Sequence, residues 1–133
     1  MGGALSTLTA FYFQRTGLID PRNIRSYSFG EPRSSDAEFS NNFDAVIKRH
    51  FRVVAHRDPV PRAFPRSKGY LHHNREVWYE GELPGKFKCC EREDPSCINS
   101  IPENSLYAGD HLKYFSPGNY TVEEYGEQGC PPV

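Results

Sequence analysis

Two residues in this chain have the chemistry for proton transfer, and a third place offers bare backbone suited to a developing negative charge. Asp58 sits just past the strand-like run "FRVVAH" (Phe51 to His56) and is itself followed by Pro59. Open α/β sheets carry functional loops beyond the carboxyl ends of their strands, and a residue before proline is biased toward extended backbone. A carboxylate held in one direction can fix the tautomer of an imidazole and stabilise it when charged. An ordinary turn aspartate has the same surroundings, and on this loop alone the plainer reading is the stronger. His111 lies in "GDHLKYF", a turn-rich loop with an apolar run behind it. An imidazole that titrates near neutrality suits a general base. A capping or surface histidine fits that context too, and better when His111 is taken alone. The third place is the start, where "MGG" leads into a helical pattern. The free N–H groups and positive dipole end of such a helix stabilise an anion or an oxyanion of acyl transfer. Glycine opens many helices, so the pair by itself is weak.

These residues need elements to hold them. Ala4, Leu5, Leu8, Phe11 and Tyr12 recur with helical spacing, which predicts a helix from Gly2 to about Thr16 with that apolar stripe buried and Gly17 as its stop. "IRSYSF" (Ile24 to Phe29) alternates like a strand and "GEP" ends it. A polar loop leads to a short amphipathic helix with Phe39, Phe43, Val46 and Ile47 on one side. "FRVVAH" and "REVWY" (Arg75 to Tyr79) read as further strands, separated by a proline-broken loop. The remainder, rich in Gly, Pro and Cys, reads as irregular. Alternating helices and strands predict an α/β layer structure with a largely parallel sheet. Three strands are few for such a sheet, so the organisation resembles part of a larger one.

Composition narrows the partners. The chain has 133 residues, 25% of them charged, with a net charge of −1. No broad basic face for nucleic acid follows, and no apolar run is long enough to span a bilayer. A secretory leader is not visible in the first residues. The four cysteines, Cys89, Cys90, Cys97 and Cys130, lack the paired CxxC spacing of a zinc site and favour disulfides. With the "NYT" sequon at Asn119 they lean toward an oxidising compartment. Five histidines are present, none in an HxxxH pair, so the spacing gives metal binding little support.

Five blocks then carry a resemblance. "MGGALSTL" is similar to a nucleophile elbow of the form Gly-His-Ser-(Leu/Met)-Gly-Gly-Ala-Leu from the residue after the serine onward. "YSFGEPR" resembles a strand and loop ending Phe-Gly-x-Pro-Arg, and "VVAHRDPVPRAFP" a strand and turn bearing a triad aspartate. "GYLHHNREVWY" and "DHLKYF" complete the order. The chain resembles the class 3 lipase family, the fungal-lipase-type α/β-hydrolases, and in wording its nematode members. That resemblance implies an incomplete α/β-hydrolase fold, a mostly parallel sheet with flanking helices, over residues 1–115. A tail follows over 116–133.

It further implies a lipase-type carboxylic ester hydrolase, with triacylglycerol as the family's usual substrate. Asp58 would be the triad acid, His111 the triad base, and Met1 the residue whose backbone N–H contributes to the oxyanion hole. The acid precedes the histidine, as the hydrolase chain order requires. The nucleophile serine would stand immediately before Met1, outside this sequence, so the chain as written would be an inactive portion of a secreted enzyme. Ser6, inside the helix, would be no substitute, being packed or bonded back to its own helix. "SSDAEFSNN" departs from the Val-Gly-Asn common after that proline and arginine. The resemblance also suggests a local disulfide from Cys89 or Cys90 to Cys97. Neither metal nor organic cofactor is implied; the partners would be an ester lipid and a lipid interface. Two competing readings are a non-catalytic product acting as a binding module and a small disulfide-stapled domain of unrelated fold.

Overall fold

The computed structural model describes residues 1–114. The tail from 116, the Asn119 sequon and Cys130 lie outside the described residues. A four-stranded sheet organises the rest, in the order β1-β2-β3-β4, with β1 Ser26–Phe29, β2 His50–Ala55, β3 Glu76–Tyr79 and β4 Phe87–Cys90. The first two pairings are parallel, with Tyr27 opposite Phe51 and Val53 opposite Val77. The third is antiparallel, with Val77 opposite Cys89. The expectation of three strands is therefore corrected by one. "FKCC" is only four residues long and three of them are exposed, so β4 lacks the buried alternation that marks a strand in sequence.

Two helices cover one face: α1 Gly2–Arg15 and α2 Ala37–Val46. The α2 start is fixed by Asp36, whose side chain accepts from Phe39 N at 2.8 Å. Phe43 and Ile47 then turn inward beside Ala10 and Ile24, with Phe11, Phe13 and Phe39 packed against them. Phe43 is fully buried, and its truncation to Ala would cost about 3–5 kcal/mol. A second apolar cluster of Val54, Trp78, Cys90, Cys97 and Ile98 lies toward β3 and β4. A disulfide joins Cys90 to Cys97 within it, leaving Cys89 exposed and free.

The α1 stripe differs from the expectation. Leu5, Leu8 and Tyr12 are exposed, whereas Thr7 and Ala10 are buried. The reason is proximity: α1 approaches the turn after β1 so closely that a Cβ on Gly3 would lie 2.8 Å from Glu31 Cβ. Only small residues fit that seam, so they, rather than the larger apolar ones, face the sheet. Ser6 also points across it, to Ser26 Oγ at 3.1 Å and the Tyr27 carbonyl at 3.3 Å, and not back to its own helix.

Candidate active site

The carboxyl ends of β1 and β2 converge on one carboxylate. Beyond Ala55 the chain turns sharply at His56, which has a φ of 27° and whose carbonyl accepts from Trp78 Nε1 at 2.7 Å. The turn closes when Asp58 N donates to Ala55 O at 2.9 Å. Asp58 is thereby buried completely, a position that a carboxylate tolerates only when its lone pairs are used. They are: Oδ1 accepts from Val60 N at 2.8 Å. Oδ2 accepts from His111 Nδ1 at 2.8 Å and from the Tyr114 hydroxyl at 2.6 Å.

His111 arrives on a single 3₁₀ stretch, Ala108–Leu112. Asp110, itself buried, ties this stretch to the β2 loop by accepting from Arg57 N at 3.2 Å and by facing His56 Nδ1 at 3.5 Å. Tyr107 N adds a hydrogen bond to Arg57 O at 2.9 Å. With Nδ1 donating to an acceptor-only carboxylate, the neutral His111 ring carries its lone pair on Nε2. The imidazole is 34% exposed while its carboxylate partner is sealed. A buried acid, an oriented imidazole and an accessible Nε2 are the parts needed for general-base activation of a hydroxyl nucleophile.

Two further residues shape the pair and were not singled out from sequence. The Tyr114 hydroxyl bridges Asp58 and Ala55 N, from which it accepts at 3.0 Å. Burial first, and then the Asp58 charge, push its ionisation far above the usual phenol range, so it remains a donor. Gly30 has a φ of 56°, and a Cβ there would lie 2.5 Å from His111 Cε1 and 2.9 Å from Asp58 Oδ2. No side chain fits that space. Both residues fall inside quoted blocks, Tyr114 in "DHLKYF" and Gly30 in "FGEPR", and glycine after a strand was the readable signal.

Met1 stands at the N-terminus of α1, 89% exposed, with no side chain capping the helix and no acidic residue in its first turn. The hydrogen bonds of Asp58 and His111 do not include it. Among the described residues, the metal-ligating side chains that gather are Glu31, His50 and His73. Sequence spacing missed that group because its two histidines come from different segments.

A family model described as Lipase (class 3) matches residues 1–68. A lipase of Caenorhabditis elegans is 30% identical over 164 aligned positions, covering 99% of this chain and 46% of that protein. A secreted mono- and diacylglycerol lipase of Malassezia restricta is 35% identical over 79 positions, covering 59% of this chain and 26% of its own length. The solved triacylglyceride lipase of Rhizomucor miehei superposes with a TM-score of 0.77 at 33% identity, over 86% of this chain and 44% of that one. The chain thus spans less than half the length of the curated relatives it matches.

Proposed function

Because the chain belongs to the class 3 lipase family, we propose that it carries the acid and base of a Ser-His-Asp ester hydrolase acting on acylglycerols or related lipid esters. Residues 1–115 form the C-terminal portion of the hydrolase domain in this reading, and 116–133 a tail. The supporting observation is the Asp58–His111 pair: 2.8 Å apart, one partner sealed and the other open. In the reaction His111 Nε2 takes the proton of a serine hydroxyl as its Oγ attacks the ester carbonyl. The same nitrogen returns the proton to the departing alcohol, and water then repeats the cycle on the acyl-enzyme. Asp58 holds the imidazole through its hydrogen bond to Nδ1. The N-terminus of α1, with the backbone N–H of Met1, is suited by its free N–H groups to the oxyanion.

The attacking serine of this proposal is the last residue of the family's Gly-His-Ser motif, and the 133 residues supply its acid and base. Secretion is favoured by the relatives named as secreted lipases and by the Cys90–Cys97 disulfide. No helix among the described residues is long and apolar enough to cross a membrane, and contact with lipid is assigned to an interface.

The test is hydrolysis of a short-chain nitrophenyl ester and of a triacylglycerol emulsion, by residues 1–133 and by a form extended upstream through the Gly-His-Ser of the family motif. The extended form is expected to turn over and to lose activity on His111→Ala; the shorter form is expected to be inert. Turnover by residues 1–133 that disappears with His111→Ala would overturn the inert-portion reading. Activity of the extended form that survives His111→Ala would overturn the triad itself.

A further inference from the structure

Beneath α1 lies a second grouping of a carboxylate and imidazoles, built quite differently. Glu31 comes from the turn after β1, His50 from the first position of β2 and His73 from the segment before β3. Their side chains are no more than 1% exposed. One ligating atom of each lies within 4.8 Å of the other two. Glu31 Oε1 is 3.1 Å from His73 Nε2, and Oε2 is 3.7 Å from His50 Nε2. Two hydroxyls close the shell: Thr7 donates to Oε1 at 2.7 Å and Ser28 to Oε2 at 2.5 Å.

The protons do not fill this centre. His73 Nδ1 lies 3.0 Å from the Asn74 carbonyl, which only accepts, so Nδ1 holds a hydrogen. The Thr7 and Ser28 hydrogens are committed to Glu31, which leaves oxygen lone pairs turned toward the imidazoles. Thr7 Oγ1 is 3.2 Å from His73 Nε2, and Ser28 Oγ is 3.5 Å from His50 Nε2. The gap between His50 Nε2 and the carboxylate exceeds hydrogen-bonding reach, and His50 Nδ1 is buried without a partner. A carboxylate, two ring nitrogens and two hydroxyl oxygens thus converge on one space closed to water. Such a centre calls for a positive charge in its middle.

We propose that Glu31, His50 and His73 bind a divalent transition-metal cation of the zinc class, as a structural ion that fastens α1 to the sheet. Two imidazoles and one carboxylate are a zinc donor set, and bonds of about 2.0–2.1 Å in a tetrahedron separate the donors by roughly 3.3–3.4 Å. Each ring nitrogen lies near a different oxygen of the carboxylate, 3.1 Å from Oε1 and 3.7 Å from Oε2, and one atom of each residue falls within 4.8 Å of the others, so the three need only draw together to reach that spacing. The Thr7 hydroxyl or one water completes the fourth position. His73 also has the outer hydrogen bond to a carbonyl that metal-bound histidines carry. His50 lacks one, which makes it the weakest ligand of the three.

The test uses the full 133-residue chain, freed of metal by a chelator and then titrated with Zn²⁺ by calorimetry and with Co²⁺ by visible absorption. One equivalent of Zn²⁺ is expected to bind and, at a hundredfold excess over Kd, to raise Tm by roughly 10 °C. Co²⁺ is expected to give the intense bands of four-coordination without thiolate charge transfer, which excludes Cys89. Glu31→Gln and His73→Gln should each weaken binding by more than about a hundredfold, His50→Gln by less, and His111→Ala not at all. If the variants do not fold, the spectrum of the unsubstituted chain decides. Six-coordinate or thiolate-bound cobalt, or no stoichiometric binding, overturns the proposal and leaves a protonated His73 as the positive charge. Binding unchanged in Glu31→Gln and His73→Gln overturns it equally.

Discussion

The Asp58–His111 pair and the Glu31–His50–His73 cluster use the same two functional groups and stand side by side, joined through the adjacent residues Gly30 and Glu31. They differ in what surrounds the imidazole. Asp58 accepts three hydrogen bonds and is fully buried, yet a third of the His111 side chain remains open. Around Glu31 both rings are sealed. An imidazole that exchanges protons with a substrate must be reachable; one that is enclosed can only hold structure together. Exposure of the ring, more than the presence of a carboxylate beside it, separates a reactive pair from a fastening.

That contrast predicts opposite consequences for removing one member of each. His111→Ala should abolish ester hydrolysis by the extended enzyme, by about a millionfold in kcat. The melting of the same protein should change by no more than about 1 kcal/mol, since Asp58 keeps its bonds to Val60 N and the Tyr114 hydroxyl. Glu31→Ala should do the reverse. It takes the shared acceptor from Thr7 and Ser28 and removes the carboxylate beside the His73 ring, and denaturant unfolding should report a loss of about 3–5 kcal/mol. Comparable losses of stability in the two variants would break the distinction.

Gly30 tests the seam between the two. Its φ is 56°, and the His111 ring stands 2.5 Å from where an alanine Cβ would be, so there is no room for one. The ring is at the surface and can swing away, so Gly30→Ala is expected to act chiefly through misplacement of His111. Steady-state assays should show about a hundredfold loss in kcat, with backbone strain adding about 1–3 kcal/mol of destabilisation. A loss of stability with kcat preserved would show that the ring does not need that glycine.

The Asp58–His111 pair was more readable in the sequence than the enclosed cluster. A strand end marked Asp58 and turn residues marked His111, but each alone read better as an ordinary loop residue, and the resemblance joined them as acid and base. Periodicity also carried α1 and the three parallel strands to within one or two residues of their observed limits, and it gave the apolar side of α2. It failed for β4, whose "FKCC" has too little burial to alternate, and for the buried face of α1, where close approach to Glu31 selected Thr7 and Ala10 over Leu5 and Leu8. His50 and His73 are 23 positions apart in sequence and meet only because β2 and the segment before β3 are brought together by the parallel sheet. Local spacing contains no trace of that meeting.

Tyr114 offers a finer test of what keeps the Asp58 carboxylate usable. Tyr114→Phe deletes a donor to Asp58 and leaves the Ala55 N–H without its acceptor. About 1–3 kcal/mol of stability should be lost. The remaining His111 bond should hold the imidazole well enough that kcat falls by about tenfold or less. A loss as large as that of His111→Ala would mean that Tyr114, and not burial, sets the direction of the carboxylate.

The smallest expected effect lies in the acid limb of stability, among the enclosed charges that flank the Glu31 cluster. Burial pushes Glu93 up, but the Arg33 guanidinium at 3.0 Å and the His72 N–H outweigh it, so its folded value lies below the ordinary 4.5. A depressed acid contributes stability that is present above the unfolded value and fades as pH falls through it toward the folded one. Glu76 has the opposite sign: burial outweighs Arg52 and raises it, so its ionised form opposes folding and that opposition is relieved as pH falls. Glu93→Gln should therefore flatten the fall in stability below about pH 4.5, whereas Glu76→Gln should remove the relief that accompanies acidification toward pH 4.5 from above, when urea midpoints are followed from pH 7 to pH 3. An acid limb left unchanged by Glu93→Gln would show that the ion pair with Arg33 does not set the loss of stability in acid.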